Sequence, residues 1–490
     1  MNPLRPFSPV LGLFLLIHLT TCASVHGLDD LPSDAEVKDA LRNAGQFFCH
    51  KVATHGGYVW SYSGDLQLRE GEALTDLTMI WVQPPATPTI GETFLKAYET
   101  THEQQYLDAT LAAASALVRG QMRSGGWYYS VEFDPQKRLK YAYLNGPSRK
   151  KQQKKSTLDD DVTQSALRFL MHVDQQLKFN NSDVHQAVET CLTSLLNVQY
   201  RNGAWYQWWD DPNRPRDGNE FPVIAASYPD SWPRTWPNTW SGRYFLNDNV
   251  MADMIDTMLL AYDIYEDERY LNSAIKAGEF LLLAQMPNPQ PAWAQQYDPA
   301  MHPVWDRKFE PPAVSGAESQ GVMRSLLLLY RRTGQRKFLE AVPPALNYLR
   351  ASTLPNGKLA RFYELETNRP LYFTVTGKRY DLTYESKDPP KHYAFQVPSQ
   401  LDRIEDEYQK LASSPPRQAG AESSAPRMRK RSRAEAARIR SIMRSMDDRG
   451  AWVEDGVLDG HEVRPDSGII HSKTFVKNMT ALIDYLKATP

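Results

Sequence analysis

The chain has 490 residues, with 56 Lys and Arg against 58 Asp and Glu, so its formal net charge is −2. A chain this long can bury a large core, and its charge balance argues against a nucleic-acid-binding protein, which normally carries a basic excess on one face. Its 12 Trp and 25 Tyr residues suit stacking against sugar rings, although core packing uses the same side chains.

The first residues have the pattern of a targeting segment. Arg5 precedes a short apolar run at 10–17, and small residues follow it. We therefore predict that residues 1–27 are a removed signal peptide and that the protein is secreted or periplasmic, with lipid anchoring at Cys22 as an alternative. No later run is apolar enough for a transmembrane segment, and we predict none.

Cysteine usage is sparse after the predicted cleavage. Only Cys49 and Cys191 remain, which is too few for a disulfide framework. We predict two free buried thiols, with a single disulfide as the alternative.

Helical periodicity dominates the rest of the chain. Apolar residues recur at three- and four-residue spacing over 108–121, 164–175, 250–265 and 321–331, and again over 474–487. Runs of β-branched residues that would indicate strands are few.

A Gly-Trp motif ends several of these helices. Residues 118–129 (VRGQMRSGGWYY) are echoed by residues 195–206 (LLNVQYRNGAWY). The copies recur about every 70–90 residues, which is two helices plus their loops at ordinary lengths. Repeated helical hairpins must bury their apolar faces against each other. We therefore predict an all-α fold, an α/α toroid (incomplete α/α barrel) with long rim loops, over residues 28–400.

The aromatic residues of this motif would lie on loops that leave the outer helices. Trp205 and Trp293 are therefore candidate sugar-binding residues at one rim of the toroid. The alternative is that these side chains, with Trp127, only fill the core.

Residues 410–444 break the helical pattern. Two Pro residues after two Ser residues lead into the basic run 427–433 (RMRKRSR). This composition is typical of a disordered or marginally helical basic insertion, a solvated linker, with polyanion binding as the alternative. Residues 445–490 form a C-terminal segment whose helix we expect to pack back on the toroid.

Three predicted helix starts carry polar clusters, at 157–163 (TLDDDVT), 245–250 (FLNDNV) and 315–319 (SGAES). One Ser, Asp or Asn suffices to cap a helix, which explains some of these residues. Three consecutive carboxylates repel each other unless a cation neutralises them. Oxygen ligands from adjacent helix starts, with no nearby His or Cys, fit Ca²⁺.

Ordered motifs over roughly 157–398 resemble the pectate lyases of polysaccharide lyase family 10. Residues 157–163 look like that family's TIDNDAT, 245–249 like TFNDD, 292–298 (AWAQQYD) like AWCAQHD, and 307–319 (RKFEPPAVSGAES) like RAYEPPSLSGSES. Residues 360–365, 367–370 and 379–382 follow its ARFYEIGTNRP and RYDL segments.

The resemblance implies a toroidal lyase that cleaves polygalacturonate by calcium-assisted β-elimination. Carried onto the matching positions, it makes Asp159, Asp160 and Asp248 ligands of Ca²⁺ or neighbours of the substrate carboxylate, Arg307 the base, and Arg361 and Arg379 uronate-binding residues. An Arg side chain has a pKa of about 12.5–13.8, so an Arg base requires nearby cations to lower it. A carboxylate clamp is the alternative role of Arg307.

The sequence also departs from the family pattern. Asp160 stands where the family has Asn, Asn249 stands where it has Asp, and Ala294 and Tyr297 replace a Cys and a His. Residues 214–243 form a Trp- and Pro-rich insertion, and Lys378 is an alternative to Arg379 as the later basic residue. These changes put the individual calcium ligands and the exact uronan in question.

Two other classes of protein remain open. A glycoside hydrolase on a similar toroid would use Asp159 or Asp160 with Asp248 as its paired carboxylates and would need no calcium. A non-catalytic uronan-binding protein would retain the groove without turnover. In each case we predict a monomer whose partner is an acidic polysaccharide rather than nucleic acid.

Overall fold

The computed structural model describes residues 31–213, 221–387, 389–390, 392–413 and 429–489, so the predicted signal peptide lies outside the described residues. Its helices are α1 (Asp34–Phe47), α2 (Thr87–Thr101), α3 (Gln104–Gly120), α4 (Val162–Gln176), α5 (Ser182–Val198), α6 (Val250–Tyr265), α7 (Glu268–Leu283), α8 (Glu318–Thr333), α9 (Arg336–Glu340), α10 (Val342–Ala351), α11 (Leu401–Ser413), α12 (Arg433–Arg444) and α13 (Ser472–Lys487). Within these ranges, no helix has the length and apolar character needed to span a bilayer.

The strands are short and lie between the helices. They are β1 (Ser61–Ser63), β2 (Arg69–Glu70), β3 (Met79–Trp81), β4 (Ser130–Glu132), β5 (Ser156–Thr157), β6 (Trp208–Trp209), β7 (Tyr244–Phe245), β8 (Gln296–Tyr297), β9 (Ala313–Ser315), β10 (Leu359–Ala360), β11 (Phe362–Glu364), β12 (Pro370–Thr376), β13 (Arg379–Thr383), β14 (Gln396–Val397), β15 (Val453–Glu454) and β16 (Ile469–His471).

The helices form an α/α toroid, as the sequence predicts. The inner helices contact one another in the order α13, α2, α4, α6, α8 and α11. Outer helices pack against them as antiparallel partners, so that α2 pairs with α3, α4 with α5, α6 with α7, and α8 with α10. The C-terminal helix α13 packs on α1, which joins the two ends of the described chain in one hairpin.

Short strand pairs hold these hairpins at one rim, which we call the site rim. The strand that enters an inner helix pairs with the strand that leaves the outer helix of the same hairpin: β3 with β4, β5 with β6, β7 with β8, and β9 with β11. The terminal hairpin repeats the arrangement with β16 and β1. The inner helices therefore begin at the site rim and end at the opposite rim.

At the opposite rim the connections within a hairpin are tight. His102, Glu266 and Gly334 each take the left-handed conformation directly after α2, α6 and α8. A left-handed residue ends a helix and lets the chain reverse at once. This tight turning leaves the longer loops, and the space they enclose, at the site rim.

Two apolar clusters form the core. The larger one lies between the inner and outer helices from α3 to α11, and the smaller one is built by the terminal hairpin with α2 and α12. Cys191 is buried in the first cluster and Cys49 is half-buried beside the second, and both are free thiols, as predicted.

The Gly-Trp motif closes the turn after each outer helix. Trp127, Trp205 and Trp293 have no solvent exposure. Each indole Nε1 donates a hydrogen bond to a carbonyl near the end of the preceding outer helix, at Leu117, Leu195 and Leu281 respectively. The prediction that Trp205 and Trp293 bind sugar is therefore wrong, because these rings are sealed in the core.

The described C-terminal part of the basic segment is more ordered than its composition predicts. Residues 414–428 lie outside the described residues, but α12 is a helix capped by Ser432. Its apolar side chains Ala436, Ile439 and Ile442 are buried against the terminal hairpin. The prediction of a disordered or marginally helical segment is wrong for α12, because a narrow apolar stripe among many charges is enough to bury one helix face. Trp452 then repeats the Gly-Trp turn, with its Nε1 donating to the Ile442 carbonyl.

Substitution of Gly203, in the Gly-Trp turn after α5, would test how tightly neighbouring hairpins pack. Gly203 has φ +100°, and a Cβ there would lie 1.9 Å from the carbonyl oxygen of Lys276 on α7. Gly357 also has a positive φ, of +77°, but a Cβ there meets nothing within 4 Å. We expect Gly203→Ala to lower the free energy of unfolding by about 3 kcal/mol or more, against about 1 kcal/mol for Gly357→Ala. Urea unfolding measures both, and equal losses would contradict the packing described here.

Candidate active site

The carboxylates predicted from the sequence lie in two short turns of the same shape. Residues Asp159–Asp161 precede α4 and residues Asn247–Asn249 precede α6. In each turn the second residue is left-handed, with φ 47° at Asp160 and φ 50° at Asp248. Asp and Asn tolerate this conformation better than most side chains, which explains why both turns consist of these residues. The turns contact each other because α4 and α6 are neighbours in the inner ring.

These turns bring three carboxylates together. One oxygen from each of Asp159, Asp160 and Asp248 lies within 4.8 Å of the other two. Oxygens bound to one Ca²⁺ at about 2.3–2.6 Å can be at most about 5.2 Å apart, so this spacing fits a single calcium ion. The chemistry of the donors fits as well, since all three are hard carboxylate oxygens.

Hydrogen-bond donors from the same hairpin and from the preceding one hold two of these carboxylates. The Tyr129 hydroxyl donates to Oδ2 of Asp159, and Nε2 of Gln207 donates to Oδ1 of the same side chain at 2.6 Å. Nε2 of Gln83 donates to Oδ2 of Asp160 at 2.9 Å. Both oxygens of Asp159 therefore accept a hydrogen bond and Oδ2 of Asp160 accepts one, so these bonds fix the orientation of the two side chains.

The sequence analysis did not find these donors, although the repeated motif carried a signal. Tyr129 and Gln207 each lie two positions after the Trp of a Gly-Trp turn. Gln295 holds the same place in the third copy, where its Nε2 donates to Glu318 at 3.0 Å. The motif therefore buries its Trp and presents the residue two positions later to the site rim.

Burial and mutual repulsion shape the charges of the cluster. Asp160 is partly open to solvent. Its pKa is nevertheless raised to about 6, mainly by the burial of the rest of the side chain and then by the carboxylates of Asp159 and Glu72. Burial, with Asp159 and Asp160, also raises the pKa of Asp248 well above its ordinary value, and Arg307 opposes this rise. At Asp160 and Asp248, protons therefore compete with any cation that the cluster binds.

Arg307 faces this cluster. Its Nη2 donates to Oδ2 of Asp248 at 2.9 Å, and its Nε lies 3.6 Å from Oε2 of the buried Glu310. Burial alone would lower the pKa of Arg307, but the carboxylates of Glu310 and Asp248 outweigh it and raise that pKa above its ordinary range. In this arrangement Arg307 carries a proton, and only further positive charge near it would favour its neutral form.

Arg361 lies on the next hairpin and joins the site through Tyr393. The Arg361 guanidinium stacks 4.5 Å from the centre of the Tyr393 ring, and its Nη1 lies 3.4 Å from Oε1 of Glu318. The Tyr393 hydroxyl donates to Oε1 of Glu310 at 2.8 Å, so a continuous polar path connects Arg361 to Arg307. Arg361 is thus positioned beside the cluster, whereas its role in binding a uronate stays a prediction.

Arg379 lies elsewhere. It begins β13, at the exposed tip of the hairpin formed with β12, and its side chain is 78% exposed. Its Nε lies 2.9 Å from Oδ2 of Asp381, and the neighbouring Lys378 is also exposed. Neither basic residue has a described contact with the carboxylate cluster or with Arg307, so the structure does not bring Arg379 into the site.

The departure at Asn249 leaves the cluster intact. Asn249 occupies the place in its turn that Asp161 occupies in the other. Asp161 does not join the three carboxylates, because its side chain binds Nη2 of Arg168 at 2.5 and 2.7 Å. An Asn at the equivalent position therefore removes no member of the cluster.

The described part of the Trp- and Pro-rich insertion covers the loop that carries Arg307. Nε1 of Trp236 donates to the Asp306 carbonyl at 3.0 Å, and Nε1 of Trp305 donates to the Pro233 carbonyl at 2.7 Å. Arg234 forms an ion pair with Glu364 on β11. The described part of the insertion therefore packs against the Arg307 loop and stabilises it.

Comparisons with known proteins agree with this geometry. Residues 121–354, just under half of the chain, match the family model described as pectic acid lyase. This match confirms the resemblance inferred from the motifs, and it supports a polysaccharide lyase. A search of curated proteins gives no match.

Solved structures that resemble the chain are distant. A family 10 polysaccharide lyase from Cellvibrio cellulosa is 19% identical over 65% of this chain and 95% of its own, with a TM-score of 0.43. A mutant of the Cellvibrio enzyme in complex with trigalacturonic acid is 18% identical over 66% and 98%, with a TM-score of 0.42. An α-mannanase from Bacteroides thetaiotaomicron is 12% identical over 93% and 96%, with a TM-score of 0.42.

The raised carboxyl pKa values predict how stability responds to pH and to calcium. Burial raises the pKa of Asp160 to about 6 and that of Asp253 on α6 to about 7, so the folded protein holds protons that the unfolded chain has lost above about pH 4. The free energy of unfolding of EDTA-treated protein should therefore fall as the pH rises from 5 to 8.5. Added Ca²⁺ should stabilise the protein more at pH 8.5 than at pH 5, because protons no longer compete for the cluster.

Urea unfolding at both pH values, with CaCl₂ or with EDTA, measures this response. Asp253→Asn is the matched control, since Asp253 is not among the three clustered carboxylates. It should reduce the loss of stability with pH and leave the effect of Ca²⁺ in place. An equal effect of Ca²⁺ at pH 5 and pH 8.5 would contradict the prediction.

Proposed function

We propose that this protein is a polysaccharide lyase that acts on pectate (polygalacturonate) by calcium-assisted β-elimination at the site rim. The observation that carries the proposal is the guanidinium of Arg307, 2.9 Å from Asp248 and beside the three-carboxylate cluster. A polymer with a carboxylate on every sugar needs positive charge along its path, and Arg307 and Arg361 supply it from two neighbouring hairpins.

The proposed reaction begins with the proton on C5 of a uronate. Arg307 takes that proton, the electron pair forms a C4–C5 double bond, and the C4–O bond to the neighbouring sugar breaks, with solvent supplying a proton to the departing oxygen. Bound Ca²⁺ would neutralise the substrate carboxylate next to C5 and make the C5 proton more acidic. Asp159, Asp160 and Asp248 are the residues that would hold it.

The charges around Arg307 explain what this base requires. With Glu310 and Asp248 beside it, the pKa of Arg307 lies above its ordinary value. Positive charge among the three aspartates would oppose those carboxylates and move the pKa of Arg307 down. We therefore expect an alkaline pH optimum and a strict requirement for the cation.

Export is part of the proposal. A substrate of this size is met outside the cell or in the periplasm, which agrees with the targeting pattern of residues 1–27.

Incubation with polygalacturonate tests the function directly. We expect ultraviolet absorbance from the unsaturated product at alkaline pH with Ca²⁺, and none with a chelator. A glycoside hydrolase would release reducing ends without this absorbance and would not need Ca²⁺. A uronan-binding protein would retain polygalacturonate without any new ends. Either result would overturn the proposal.

A further inference from the structure

A loop with a high positive charge leads into the carboxylate cluster. Residues 149–155 (RKKQQKK), which we call the basic arm, contain five Lys and Arg side chains in seven positions. Within the described residues, no carboxylate forms an ion pair with any of the five. Four of them, Arg149, Lys150, Lys151 and Lys154, are exposed. Like charges this close repel one another, and a polyanion would relieve that repulsion.

The basic arm is fixed to the protein at its centre. Gln152 is 9% exposed, and its Nε2 donates to the carbonyls of Leu139, Tyr141 and Pro147 at 2.9–3.1 Å. Its Oε1 accepts a hydrogen bond from the backbone N–H of Arg149 at 2.9 Å. One buried amide therefore closes the loop and orders the charges on either side of it, so that binding a ligand costs little conformational entropy.

The last residue of the basic arm is held against a strand of the site rim. Lys155 immediately precedes β5, and its Nζ lies 3.4 Å from the centre of the Trp208 ring on β6. The residue before Trp208 is Gln207, whose side chain donates to Asp159 at 2.6 Å. Lys155 is thus oriented at β6, the strand that directly follows Gln207 in the chain, and the other four basic side chains precede it on the exposed loop.

We propose that the basic arm is a second binding region for the substrate, which takes uronate carboxylates several sugars away from the bond that is cleaved. This inference rests on the proposed function, because it assumes that a polyuronate lies along the site rim. Lys155, held over Trp208, would bind the carboxylate nearest to the cluster, and Arg149, Lys150, Lys151 and Lys154 would bind those beyond it. The protein would then favour long, unesterified chains over short ones.

Neutralising the exposed arm tests the inference. The arm variant combines Arg149→Gln, Lys150→Gln, Lys151→Gln and Lys154→Gln. The matched control removes four basic side chains at the opposite rim, with Lys178→Gln, Arg269→Gln, Arg336→Gln and Lys337→Gln. Both sets are made in an Arg307→Ala background, so that affinity electrophoresis in polygalacturonate measures binding without turnover.

We expect the arm variant to bind polygalacturonate about tenfold more weakly than the Arg307→Ala parent at low salt. The magnitude of the slope of log affinity against log salt should fall by up to about 3, because the variant neutralises fewer charges on the polyanion and its binding therefore releases fewer counterions. Binding of trigalacturonate should change less than about twofold, because a trimer is too short to fill both regions. The opposite-rim control should bind both ligands like the parent.

Two results would overturn the inference. One is an equal affinity of the arm variant and the opposite-rim control for polygalacturonate. The other is a loss of affinity of the arm variant for trigalacturonate and for highly methyl-esterified pectin that equals its loss for polygalacturonate. Such a result would indicate a general defect in the site. Failure of the proposed function is seen separately, as a wild-type protein that makes no unsaturated product from polygalacturonate.

Discussion

Replacement of Arg307 by Ala should lower kcat on polygalacturonate by about 10³-fold or more while the protein stays folded. Loss of a general base typically costs 10²- to 10⁴-fold, and in the proposed mechanism Arg307 would also provide positive charge beside the reacting carboxylate. Ultraviolet detection of the unsaturated product measures kcat, and circular dichroism checks the fold. Lys308→Ala is the control on the same loop, since its ammonium lies 4.3 Å from the Tyr380 ring and outside the cluster. It should retain activity within about threefold.

Arg307→Lys separates a base from a carboxylate clamp. A Lys side chain has an ordinary pKa of about 10.4, lower than that of Arg, so a Lys base would lose its proton at a lower pH. If Arg307 is the base, the variant should keep a measurable fraction of kcat, and the limb of the pH profile on which kcat rises should move to lower pH. An unchanged pH profile with a raised KM would show that the guanidinium only binds the substrate and would contradict the proposed mechanism.

Asp248→Asn should abolish calcium-dependent activity. Asp248 is the only one of the three clustered carboxylates that comes from the second acidic turn, and it also binds Arg307. Calcium affinity depends strongly on the number of charged ligands, so we expect the dissociation constant for Ca²⁺ to rise about 100-fold or more. Isothermal titration with CaCl₂ measures the affinity, and kcat/KM should fall by at least the same factor at low Ca²⁺.

A matched variant distinguishes loss of a ligand from loss of negative charge. Asp256 lies on the same helix, α6, and its pKa is also raised by burial, but it is not one of the three clustered carboxylates. Asp256→Asn should leave the Ca²⁺ affinity within about threefold of the wild type. Similar losses in the two variants would show that the overall negative field, rather than coordination by Asp248, attracts the ion.

The repeat and the acidic turns were predictable from local chemistry. Residues 250–265 have a regular apolar spacing, and α6 has the same bounds. The repulsion among adjacent carboxylates pointed to a shared cation, and Asp159, Asp160 and Asp248 do converge. In both cases the signal lies within a few consecutive residues, which is the range over which helical periodicity and capping act.

What the sequence could not show depends on contacts between hairpins. The sequence does not distinguish an aromatic side chain that faces a sugar from one that fills the core. The hydrogen bond from Nε1 of Trp205 to the Leu195 carbonyl, which goes with a buried ring, is visible only in the folded protein. Gln83 comes from another hairpin than its partner Asp160, so spacing along the chain does not reveal the pair. Arg379 matched a family segment in sequence, yet the exposed hairpin of β12 and β13 carries it to a surface tip.

The pairing of α1 with α13 has a consequence for how the chain reaches its native state. Among the described helices α1 comes first in the chain and α13 comes last, so the ring cannot close before α13 has been synthesised. Until then the apolar faces of α1 and α2 lack their partner. A circular permutant that starts at α2 and runs through α13 into α1 would keep every hairpin contiguous, and it should fold faster than the natural order because its closing contact becomes local.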